Sequence, residues 1–181
     1  MVYVFLAHGF EEIEALTVVD LLRRAEVQVK SVSVMEEKLV YGAHGIGVEA
    51  DILLKAADFK NCAMLVFPGG MPGTTNLCNH KELMEEVKAF YAAGKSLAAI
   101  CAAPMVFAKA GLFDGHEATI YPGMEEELAG AVWTAGNVVK SGQLITSKGP
   151  GTAMDFALSL IEELKGEAKA RAIREALIYR Q

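Results

Sequence analysis

Near its middle the sequence reads LAAICAAP (97–104), small apolar residues with one cysteine where a buried strand gives way to a Pro-marked helix. A nucleophile at such a corner projects above the sheet, and Ala99, Ala102 and Ala103 leave room for the bend. The corner also sets Cys101 at the positive end of a helix, which predicts a lowered thiol pKa. Packing is the competing role, because cysteine is among the most buried residue types. A second stretch, GFEEIEA (9–15), supplies Glu11, Glu12 and Glu14. Glu11 and Glu12 suit the dipole of a first helical turn as solvated residues and need no further role. Glu14 lies three residues after Glu11, close to the apolar face; it is either solvated or buried and protonated, able then to donate a hydrogen bond to a thiolate. A third, PGGMPG (68–73), lacks the Lys-Ser/Thr of a phosphate loop and the spacing of a dinucleotide fingerprint. Its paired glycines either present N–H groups to a developing oxyanion or make an ordinary turn.

The remaining reactive residues are less suggestive. His8, His44, His80 and His116 show no metal-ligand spacing, and only His8, at the end of the first strand, stands where a sheet-edge site could use it. Cys62, Cys78 and Cys101 form an odd set with no CxxC, which disfavours a disulfide framework and a structural zinc site. Cys62 and Cys78 read as structural. Trp133 and the other aromatics are scattered and do not form a base-stacking array.

These residues need a scaffold, and the hydrophobic pattern supplies one. Apolar runs at 2–7, 63–70 and 96–100 read as buried strands, and 27–34 alternates as a partly exposed one. Helices are expected over 11–25, with Ile13, Leu16, Val19, Leu21 and Leu22 on a broad apolar face, and over 80–94 and 104–113. A hairpin or irregular excursion is expected over 39–51, with short strands at 117–122, 131–134 and 142–147. Gly149-Pro150-Gly151-Thr152 opens an amphipathic helix running to Gly166, and a last helix covers 167–179. Strands apolar on both sides and separated by helices call for a mostly parallel sheet covered on both faces. In such sheets ligands collect at the carboxyl ends of the strands, here His8-Gly9, Pro68-Gly69-Gly70, Cys101 and Ser147-Lys148-Gly149.

With 181 residues, 52% of them hydrophobic, the chain is expected to form one globular domain spanning 1–181. A net charge of −6 argues against a nucleic-acid or anionic-membrane partner and favours a small ligand. The N-terminal apolar run meets two glutamates and lacks a basic leader, so it reads as a strand and not a signal peptide. No stretch reaches the roughly 18 apolar residues of a spanning helix, and a cytoplasmic location is expected.

Taken together, GFEEIEA, FPGGMPGTTNL, AAICAAP and TSKGPGTAMDFAL, in this order, closely resemble the ThiJ/PfpI superfamily, and within it the branch of the parkinsonism-associated deglycase and its bacterial relatives. The resemblance covers essentially the whole chain. It implies a flavodoxin-like α/β sandwich, a homodimer, and no cofactor or metal. It further implies Cys101 as nucleophile, Glu14 as the protonated acid of the first helix, and the N–H groups of Gly70 and Ala102 as oxyanion donors. Gly69, Pro150, Tyr121 and His8 would line the pocket. Many members carry a histidine directly after the nucleophile or about twenty residues later; Ala102 and Tyr121 stand at those places here, which disfavours a cysteine peptidase or amidohydrolase. Two functions remain. One is a glyoxalase or deglycase that turns methylglyoxal, glyoxal or their early protein adducts into 2-hydroxy acids in defence against carbonyl and oxidative stress. The other is a redox sensor or stress chaperone acting through oxidation of Cys101.

Overall fold

The computed structural model describes residues 1–179. Its eleven strands are β1 (Val2–Leu6), β2 (Val29–Ser33), β3 (Leu39–Tyr41), β4 (Gly47–Glu49), β5 (Ile52–Leu53), β6 (Met64–Phe67), β7 (Ser96–Ile100), β8 (Glu117–Ala118), β9 (Val132–Trp133), β10 (Val138–Ser141) and β11 (Leu144–Ser147). The α-helices are α1 (Glu12–Arg24), α2 (Gly73–Asn79), α3 (Lys81–Ala92), α4 (Pro104–Ala110), α5 (Ala153–Lys165) and α6 (Glu167–Ala176).

Seven strands form the central sheet in the order β10-β11-β7-β6-β1-β2-β5. All neighbours are parallel except the edge pair β10–β11. The side-chain period of two divides β1 between two cores. Val2, Val4 and Leu6 meet α1, α5 and α6 on one face, whereas Tyr3 and Phe5 meet α2, α3 and α4 on the other. This is the mostly parallel sheet with helices on both faces that the sequence leads one to expect. No helix among the described residues is long and apolar enough to cross a membrane.

Four local expectations need correction. Ile13 and Leu16 do not join the core: they are 56% and 41% exposed, and α1 buries Glu12, Glu14, Ala15 and Val18 instead. The helix is rotated so that its first turn lies under a polar cover. The four residues TTNL (74–77), which read as a turn before Cys78, lie inside α2; Thr74, Leu77 and Cys78 are buried against neighbouring elements, so packing overrides a Gly-opened, β-branched sequence. The expected strand over 117–122 contracts to Glu117–Ala118, which pairs with Val132–Trp133 in a separate two-stranded ribbon. Finally, β10 escapes the hydrophobic pattern because only Val139 of its four residues is buried; it exists as an antiparallel edge on β11.

Candidate active site

The parallel strands β1, β6, β7 and β11 end at one edge of the sheet, and the strand order reverses between β1 and β6. That crevice is where an open α/β sheet leaves room for a ligand. Cys101 follows directly on β7 and donates its N–H to the Ser147 carbonyl of β11 at 2.9 Å. Its φ of +63° is left-handed, a strain of about 1–3 kcal/mol for a non-glycine residue. The bend turns the side chain out of the sheet, and Ala102 and Ala103 are buried beneath it. Gly69, at the end of β6, is what lets the bend come so close: a Cβ there would lie 2.6 Å from Cys101 Cβ and 2.9 Å from the Ile100 carbonyl oxygen. Gly70 has a φ of +87° and directs its N–H to the Cys101 sulfur, as does Ala102.

Glu14 reaches the same point from α1 and is fully buried. Its Oε2 accepts the Gly69 N–H at 2.7 Å. Oε1 has no backbone or hydroxyl partner, which leaves the Cys101 thiol as the side chain this carboxyl meets. Burial raises Glu14 to about 7; the Gly69 N–H and the thiol oppose that rise, and the charge of Glu11 adds to it. The thiol itself is not lowered, contrary to the expectation from its corner. Burial and the facing Glu14 carboxylate push it up to about 12, against the N–H groups of Gly70 and Ala102. The physical reason is that α4 is short and begins three residues after Cys101, whereas a carboxylate lies in contact. The two groups therefore act as a pair that shares one proton through the neutral range, either as thiol with carboxylate or as thiolate with protonated Glu14.

A folded-state pKa near 7 against 4.5 in the unfolded chain means that Glu14 favours folding fully below pH 4.5 and loses that contribution as pH rises through 7. The loss amounts to about 3 kcal/mol. Glu14→Gln, which never ionises, should thus gain stability over the wild type by about that amount between pH 4.5 and pH 8.5 in urea unfolding. Parallel pH profiles for the two proteins would rule out a buried, reluctant carboxylate.

Across the thiol stands Tyr121, whose N–H donates to the Cys101 carbonyl at 3.0 Å. A Cβ on Gly149 would be 3.1 Å from the Tyr121 ring and 4.0 Å from Cys101 Sγ, so the 149–152 turn, with Pro150 at its start, forms the facing wall. His8 is directed elsewhere: its Nδ1 accepts the Tyr41 N–H at 3.1 Å and its ring stacks on Tyr41. His116 is held between the Tyr91 hydroxyl at 2.9 Å and Ser141 Oγ at 3.0 Å. Among the described residues no histidine is hydrogen-bonded to Cys101. Cys62 and Cys78 are buried away from the site.

Sequence reasoning missed the surroundings of Glu11 and Glu12. Both are buried, not solvated, beneath the β3–β4 hairpin. Glu12 Oε1 accepts the N–H groups of His44 and Ile46, and its Oε2 meets His44 Nδ1 at 2.8 Å. The ligand-capable atoms of Glu11, Glu12 and His44 lie within 4.8 Å of one another, but Glu12 already spends both oxygens on nitrogen donors. The one available signal was the close spacing of Gly42, Gly45 and Gly47: a side chain at Gly42 would collide with the Glu12 carboxyl.

Residues 1–163 match the DJ-1/PfpI family. The chain belongs to that family. DJ-1 homolog B of Arabidopsis thaliana is 38% identical over 177 residues, 97% of this chain but 40% of the plant protein, so the chain spans well under half the length of that relative. The glutathione-independent glyoxalase DJR-1.2 of Caenorhabditis elegans is 33% identical over 169 residues, covering 92% of this chain and 89% of the worm protein. Among solved structures, oxidized Toxoplasma gondii DJ-1 superposes with a TM-score of 0.95 at 37% identity over 99% of this chain and 98% of its own. The α/β sandwich is thus the DJ-1 fold, and Cys101, Glu14 and the 68–73 turn meet at its switch point.

Proposed function

We propose that this DJ-1/PfpI chain is a cofactor-independent glyoxalase or deglycase, with Cys101 as nucleophile and Glu14 as proton shuttle. The observation that carries the reading is one sulfur on a strained elbow, with a buried carboxyl beside it and two N–H groups aimed at it. The Cys101 sulfur adds to the aldehyde carbon of methylglyoxal; the S–C bond forms, and the carbonyl oxygen takes a proton to give a hemithioacetal. The N–H groups of Gly70 and Ala102 stabilise the oxyanion that precedes that protonation. Glu14 removes the proton from the former aldehyde carbon and returns one to the neighbouring carbon through an enediol, leaving a lactoyl thioester. Water then cleaves the C–S bond and releases lactate and the thiol. Oxidation of one carbon balances reduction of the next, so no external oxidant is needed. A shared proton with Glu14 near 7 suits an acid that must also serve as base. The glyoxalase named among the relatives supports the substrate class.

The test is direct measurement of lactate in amine-free buffer, since loss of aldehyde alone also reports adduct formation. Wild-type protein should turn over methylglyoxal and Cys101→Ala should fall to the buffer rate. Equal rates for the two would overturn the enzyme reading.

A second reading has its own observation: Cys101 is partly exposed while Cys62 and Cys78 are buried, so a dissolved oxidant reaches Cys101 first. Peroxide would then oxidise Cys101 selectively, to a sulfenic and on to a sulfinic acid. A homodimer is also proposed. Ile13 and Leu16 of α1 and Leu39, Tyr41 and Ile46 of the adjoining hairpin are exposed apolar residues, the patch that a second copy would cover. Light scattering should give about twice the 19.4 kDa of one chain, and Ile13→Lys should lower it.

A further inference from the structure

The polar cover over the first turn of α1 is joined to the site by hydrogen bonds on either side of the Glu11–Glu12 peptide link. Glu12 holds the hairpin through the backbone of His44 and Ile46 and through the His44 ring. Two backbone bonds fasten the same segment: Ala43 N–H to the Phe10 carbonyl at 2.8 Å and Gly9 N–H to the Tyr41 carbonyl at 2.8 Å. Glu11 is nine-tenths buried; its carboxylate is 3.7 Å from His44 Nδ1, and its N–H donates to the Gly69 carbonyl at 2.8 Å. Gly69 in turn donates its N–H to Glu14. One peptide unit after another thus ties the His44 clasp to the carboxyl that meets Cys101. Glu11 and Glu12 are buried side by side in that turn, and the His44 ring stands next to both carboxylates.

We propose that His44 is a positioning residue for the Cys101–Glu14 pair: through Glu12 and Glu11, its charge governs how readily Glu14 gives up the shared proton. Protonated, His44 offsets the charge of Glu11, and Glu14 ionises more easily. Neutral, it leaves Glu11 to oppose a second negative charge at Glu14. The groups that face His44 are Glu11 and Glu12 of α1, and both raise its proton affinity. Those that face Glu14 are Glu11 from its own helix and Cys101 from the elbow, the β6 end contributing the Gly69 N–H alone. Loss of the His44 proton therefore strengthens the hold of Glu14 on its own.

The inference rests on the shared proton and not on any substrate, so its test is independent of lactate formation. Alkylation of Cys101 by iodoacetamide is followed from pH 5 to pH 9 by mass spectrometry of the tryptic peptide, in the full chain with His44, His44→Lys or His44→Gln. The fixed charge of the lysine variant should place the inflection at least about 0.3 pH unit below that of the neutral glutamine variant. The wild-type curve should lie between them. A separation under about 0.1 unit, or the reverse order, would assign His44 to hairpin anchoring alone and overturn the proposal. Glu11→Gln keeps the helix-capping acceptor and removes the charge nearest Glu14, so it supplies a second reading should the His44 variants fold poorly. Its inflection should fall below wild type, and an unmoved inflection overturns the proposal equally.

Discussion

Exchanging Glu14 for Gln is expected to cut lactate formation by about 10²–10⁴-fold, the worth of a positioned acid–base group, while Cys101 stays open to alkylation. Gln has the same shape, can still accept the Gly69 N–H through its carbonyl oxygen, and can still offer a donor to sulfur. What it cannot do is take a proton from one carbon and return one to the next. The hemithioacetal should therefore form and stall before the enediol. The paired measurement separates two roles that a plain loss of activity would merge: lactate reports the proton shuttle, and iodoacetamide reports the thiol. Turnover within a few-fold of wild type would remove Glu14 from the mechanism.

The second large effect is expected of Gly69→Ala. The new methyl would meet Cys101 Cβ at 2.6 Å, the Ile100 carbonyl oxygen at 2.9 Å and the Ala102 nitrogen at 3.0 Å. Two of these are backbone atoms of the elbow and cannot rotate away. Overpacking of this kind costs about 1–3 kcal/mol. The same residue holds Glu14 by its N–H and Glu11 by its carbonyl, so a displaced Gly69 also shifts the carboxyl that shares the proton. Chemical unfolding should show the loss of stability, and lactate formation should fall with it. Gly151→Ala is the matching control: nothing lies within 4 Å of a Cβ there, and the change should stay within about ±0.5 kcal/mol. Equal effects at the two positions would mean that the close approach at the elbow is not what requires glycine at 69.

The parts of the fold that could be read from the chain are those in which burial on both sides leaves an unmistakable pattern. Ser96–Ile100 is a strand with the bounds its apolar run suggests, and the sheet-and-helix alternation follows from such runs. Elements that depend on a partner could not be read in this way. β10 buries one side chain of four and is a strand because β11 offers an edge; α2 is helical because its Leu77 and Cys78 find a core. Ile13 and Leu16 misled for a related reason. An amphipathic pattern marks an apolar face but does not say whether that face meets the protein's own sheet or is left outward for a second surface.

The site divides along the same line. Residue type by itself determined that Cys101 stands at a strand-to-helix corner and that a Gly-Gly turn lies upstream of it, local properties of short segments. That Glu14 is the acid of the first helix to watch came from the order of the four motifs and the family they resemble. Only the tertiary structure decided the proton balance, because it depends on burial and on the contact of α1 with the elbow, 87 positions apart in sequence. The corner alone suggested a lowered thiol; the carboxyl brought against it reverses the direction. Tertiary contact likewise made Glu11 and Glu12 buried partners of His44 instead of solvated residues of a helix start, since nothing in α1 itself announces the hairpin that covers it.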